Sequence, residues 1–61
     1  MTKRYEIVDH QIGHTYFRTD NYDLAARMFF AIWDREKRDE NDTYLLLVDT
    51  TINRAISVVV S

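Results

Sequence analysis

Asn21-Tyr22-Asp23-Leu24-Ala25-Ala26-Arg27-Met28-Phe29-Phe30-Ala31-Ile32-Trp33-Asp34-Arg35-Glu36-Lys37-Arg38 is the one stretch whose apolar residues recur at helical spacing, and the rest of the chain takes its place around it. At 100° per residue, Tyr22, Ala25, Ala26, Phe29, Ile32 and Trp33 share a stripe, which predicts an amphipathic helix resting on an apolar surface. Asp20 stands where an N-cap is wanted, and Asp23 follows as the acidic partner of a capping box. Lys37 and Arg38 suit the opposite end of the helix dipole. Asp23–Arg27 and Asp34–Arg38 have the spacing of stabilising ion pairs. In Asp39-Glu40-Asn41-Asp42 the periodicity stops, so these residues form the connection, and the mixed charges from Asp34 to Asp42 read as solvated surface.

Outward from the helix, the spacing shortens on both sides. Tyr5 to His10, His14 to Thr19, Thr43 to Thr50 and Arg54 to Val60 are rich in β-branched and aromatic residues and read as strands. Gln11-Ile12-Gly13 fits a turn that closes on a left-handed residue, and the chain's single glycine occupies that place. Val8-Asp9-His10-Gln11-Ile12-Gly13 aligns with Val48-Asp49-Thr50-Thr51-Ile52-Asn53, forty residues on. Asp before the turn and Gly or Asn at its end suit the same turn chemistry, which explains the match without a duplication. The predicted fold is therefore α+β. It is a single domain over residues 1–61 in the order ββαββ, with a four-stranded antiparallel sheet and the helix on one face.

Strand alternation assigns the faces. Tyr5, Ile7 and Phe17 suit the helix side, and Glu6, Val8, His10, Tyr16 and Arg18 the other. In the last strand Ile56, Val58 and Val60 are bulkier than Ala55, Ser57 and Val59, so the first set is expected against the helix and the second outside. The helix has a second apolar stripe, Leu24, Met28 and Ala31, with Arg35 at its rim. One sheet cannot cover so wide an arc, and Tyr44, Leu46 and Val59 add apolar surface on the far side of the last hairpin. These seven residues, Leu24, Met28, Ala31, Arg35, Tyr44, Leu46 and Val59, are the expected protein interface. The last strand has neither proline nor charge after Arg54, which leaves it open to pairing with a symmetry mate if it lies at an edge.

Size sharpens the case for association. Folding a chain of this mass gains about 95 kcal/mol from apolar burial against about 90 kcal/mol of lost conformational entropy. A domain without staples must therefore pack closely or bury more surface by associating. The chain has no cysteine, which removes disulfides and thiolate ligands, and its N-terminus shows no secretory signal, so a reduced cytoplasmic setting is expected.

Chemistry is sparse. His10 and His14 flank the first turn and could converge on a metal with Asp9 or Asp20, but two imidazoles fix no third ligand, so no metal and no cofactor is expected. No nucleophile elbow or phosphate-binding glycine loop is present, and no enzymatic activity is expected. Acidic residues outnumber basic ones ten to eight, which disfavours nucleic acid as a partner. The alternative reading is nonetheless a small nucleic-acid-binding regulator using Tyr16 for stacking and Arg18 and Arg54 for phosphates. The favoured expectation is a non-enzymatic protein-binding module, a homodimer that occupies a partner protein's surface. Its size and composition are compatible with the small inhibitors, antitoxins and adaptors of bacteria, phages and mobile elements. No membrane partner is expected.

Overall fold

A computed structural model of the chain describes residues 3–60. Strands β1 (Tyr5–Asp9) and β2 (His14–Thr19) form one hairpin, helix α1 (Tyr22–Arg38) follows, and β3 (Tyr44–Asp49) and β4 (Arg54–Val60) form the second. All neighbours are antiparallel, in one open sheet of order β2-β1-β3-β4. The fold is thus the predicted α+β arrangement. Its two inner strands come from different hairpins and meet in the register Tyr5↔Asp49, Ile7↔Leu47 and Asp9↔Leu45.

The helix seats Ala25 and Phe29 on Tyr5, Ile7, Leu45 and Leu47, and these six form the buried core. Tyr16, Phe17, Met28, Ile32, Trp33 and Val59 pack around them, partly buried. The helix lies across β2, β1 and β3, and β4 extends largely beyond it. The N-cap is Asn21 and not Asp20: the Asn21 side chain accepts the Leu24 amide at 3.1 Å. Asp20 instead accepts the Arg4 amide at 2.9 Å and pairs with Lys3 at 3.4 Å, so it ties the end of the first hairpin to its start. The predicted Asp34–Arg38 ion pair forms at 2.9 Å.

The two turns share their chemistry, as their sequences imply. Asp9 Oδ1 accepts the Gln11 and Ile12 amides, and Asp49 Oδ1 accepts the Thr51 amide. Gly13 (φ 66°) and Asn53 (φ 53°) supply the left-handed residue, which glycine adopts freely and asparagine more readily than most side chains. The forty-residue correspondence reaches further than the turns. Each hairpin carries a β-bulge, opposite Ile7/Val8 in one and Leu47/Val48 in the other, with Tyr16 and Ile56 as the extra residues.

Those bulges correct two assignments of strand faces. A straight ladder from the Asp49↔Arg54 pair puts Ile56, Val58 and Val60 on the helix side, as bulk alone suggested. One inserted residue shifts the alternation beyond it. Ser57 pairs with Leu47 and Val59 with Leu45, so both lie on the helix side, and Val59 packs on the core instead of facing outward. Val58 and Val60 pair with Leu46 and Tyr44 on the open face. Tyr16 likewise turns toward the helix, where its hydroxyl meets Glu36 Oε1 at 3.5 Å.

Candidate protein interface

The sheet face away from the helix is built from the residues that alternate with the core. Cross-strand register arranges them in rows. Val8, Leu46 and Val58 form one row across β1, β3 and β4, Glu6, Val48 and Ala55 a second, and Tyr44 and Val60 a third. Val8, Tyr44, Leu46 and Val48 are half-buried by their neighbours, whereas Val58 is 50% and Val60 62% exposed. The His10 ring leans on Tyr44 at 5.1 Å, which places an imidazole at one end of the face. Toward β2 the surface turns polar: Arg18 Nε bonds Glu6 Oε2 at 3.4 Å. The result is a face that runs from a charged margin on β2 to a fully apolar margin on β4.

Beyond the apolar margin the sheet ends. β4 is an edge strand of seven residues, and between Ala55 and Val60 it carries no charge and no proline. Natural edge strands are usually blunted by charges, prolines, bulges or a covering element. The opposite edge, β2, has Arg18 on its open face and the helix over its other side. Over Ala55–Val60 β4 has neither a charge nor a covering helix, and its one blunting device is the bulge at Ile56.

The structure divides the seven expected interface residues. Tyr44 and Leu46 stand on the open face as predicted. Val59 lies on the other side, for the reason given above. On the helix, Leu24, Ala31 and Arg35 are exposed, but Met28 is half-buried against the core. The second helical stripe is therefore split. Phe30, 59% exposed, stands on another flank, edge-on to Phe29. Sequence reasoning missed Val48, Val58 and Val60. A signal for them existed: Arg18 was expected outward, and the forty-residue offset carries Arg18 onto Val58.

The residues of the other readings are dispersed. Tyr16 is engaged with the helix, Arg18 with Glu6, and Arg54 sits opposite Asp49 at the start of β4. His10 contacts Tyr44 while His14 stacks edge-on to Tyr16 at 4.7 Å. Asp9 serves its turn and Asp20 the far end of the hairpin. Among the described residues no three His, Cys, Asp or Glu side chains gather as metal ligands. Among the described residues, no helix is long and apolar enough to cross a membrane.

One electrostatic feature braces the site from behind. Arg4 bonds Asp49 through Nε at 3.3 Å and Nη2 at 3.1 Å, a two-pronged contact that ties the entry of β1 to the exit of β3. The guanidinium lowers the Asp49 carboxyl below its ordinary value, assisted by the Thr51 amide, and Asp49 in turn raises Arg4. Burial pushes the Tyr16 hydroxyl up, with Glu36 adding to the shift.

No protein-family model matches the chain, and neither the curated proteins nor the solved structures gave a match to it.

Proposed function

We propose that this chain is a non-enzymatic protein-binding module that works as a homodimer and acts by covering part of a partner protein's surface. The observation that carries the reading is the apolar margin of the open face, where Tyr44, Leu46, Val48, Val58 and Val60 lie side by side with Val58 and Val60 at least half exposed. Contiguous apolar surface on a small domain marks association. Several polar side chains support the same reading, because they are committed to structure. Asp9 and Asp49 hold turns, Asn21 caps the helix, Asp20 ties Arg4, and Glu36 takes the Tyr16 hydroxyl and the Asn41 amide at 2.7 Å.

Sedimentation velocity across a wide concentration range tests the reading. The expected result is a species of twice the chain mass that grows with concentration. Val58→Lys, a charge on the exposed apolar margin, should shift the population toward monomer while far-UV circular dichroism stays that of the folded chain. A wild-type chain that stays monomeric throughout would overturn the homodimer.

A further inference from the structure

We infer that the homodimer forms by antiparallel pairing of β4 with β4 of a second copy, with Val58 on the two-fold axis and one eight-stranded sheet as the product. The inference rests on the homodimer reading above and supplies its geometry.

Hydrogen-bond direction selects the edge. The His10 amide donates to the Tyr44 carbonyl at 2.8 Å and the Thr50 amide to the Arg4 carbonyl at 2.7 Å. Even-numbered residues of β3 therefore turn their backbone groups toward β1. By alternation Leu45 and Leu47 turn theirs toward β4, where Val59 and Ser57 meet them. The N–H and C=O groups of Val58 and Val60 are left pointing away from the sheet. A strand of matching spacing would satisfy them.

Self-complementarity selects the occupant. Antiparallel pairing centred on Val58 sets Val58 against its own copy, Ser57 against Val59, and Val60 against the bulge residue Ile56. Every pair is uncharged, so no like charges oppose each other across the axis. The same operation on β2 would bring Arg18 close to its copy. A two-fold axis perpendicular to the sheet keeps both helices on one side and joins the two open faces into one continuous apolar surface. Ser57 and Val59, half-buried at the margin of the core, come to lie between the two helices.

The contact is small. Seven residues at about 3.4 Å each give a strip about 24 Å long, about 10 Å high across the sheet and its side chains. That footprint of about 240 Å² is well below the ~800 Å² per partner of a standard interface. The dimer is therefore reversible and populated by concentration.

Disulfide trapping tests the geometry, and the cysteine-free chain makes it clean. Edge pairing sets the two Val58 Cα atoms about 5.5 Å apart, whereas stacked sheet faces would hold them about 10 Å apart, beyond the ~7 Å limit for a bridge. Val58→Cys under mild oxidation is expected to cross-link at least about tenfold faster than Val8→Cys, which lies two strands from the edge. Val60→Lys is expected to abolish the dimer while keeping the circular dichroism of the folded chain. A dimer by mass without the Val58→Cys link overturns edge pairing and leaves the homodimer standing. Monomer at every concentration overturns both.

Discussion

The two hairpins share one backbone plan and meet different fates. Each has an aspartate at the turn, a left-handed residue closing it, and a bulge at the matching position. In the first, the extra residue Tyr16 is held by the helix, Phe17 packs on the core, and Arg18 guards the edge. In the second, Ile56, Ser57 and Val58 fill the equivalent places with the helix largely out of reach. One helix can cover one hairpin and the inner strand of the other, and no more. The apolar excess of this chain therefore arises from coverage, because the same ladder is finished by the helix on one side and left unfinished on the other.

The largest expected break of this comparison is on the covered side. Phe29→Ala removes the ring at the centre of the core, and urea unfolding should show a loss of about 3–5 kcal/mol. Val59→Ala, on the strand beyond the helix, should lose only about 1 kcal/mol by the same measurement.

The turn aspartates give the next contrast. Asp49 has Arg4 as well as its turn amide, so Asp49→Asn should lower the melting temperature at neutral pH more than Asp9→Asn does. Because the Asp49 carboxyl is held below its ordinary value in the folded chain, its contribution is complete above that value and fades as pH falls through the lower folded one. Melting temperature should therefore decline on acidification below about pH 4, and Asp49→Asn should flatten that decline. Asp20, lowered by the Arg4 amide, supplies part of what remains.

Smaller still are the left-handed residues. Gly13→Ala should cost about 1 kcal/mol, and Asn53→Gly should change stability by only a few tenths. The least costly change to the fold is the sharpest for the comparison. Val58→Arg copies the residue that guards β2, should leave unfolding within about 0.5 kcal/mol of wild type, and should remove the dimer from sedimentation profiles.

Much of the architecture was legible because the signals were local. The 3.6-residue stripe placed the helix to within one residue, and the Asp…Gly and Asp…Asn turns fixed both hairpins. The cap was misplaced between two adjacent residues that can both accept amides, Asp20 and Asn21, and a contact sixteen residues away decided between them. The interface was half legible. Tyr44 and Leu46 follow from alternation on an unbroken strand, whereas Val58, Val59 and Val60 depend on a bulge that no residue type announces. Met28 was read from its stripe, and the breadth of the helix's seat on the sheet drew it into the core.

Trp33 is the only tryptophan, and its indole N–H is enclosed with no acceptor among the described residues, while Lys37 Nζ lies 5.3 Å from the ring centre. Its emission therefore reports whether α1 is seated on the core. Fluorescence should follow the unseating of α1 at any dilution, so a single optical signal tracks the loss of the fold.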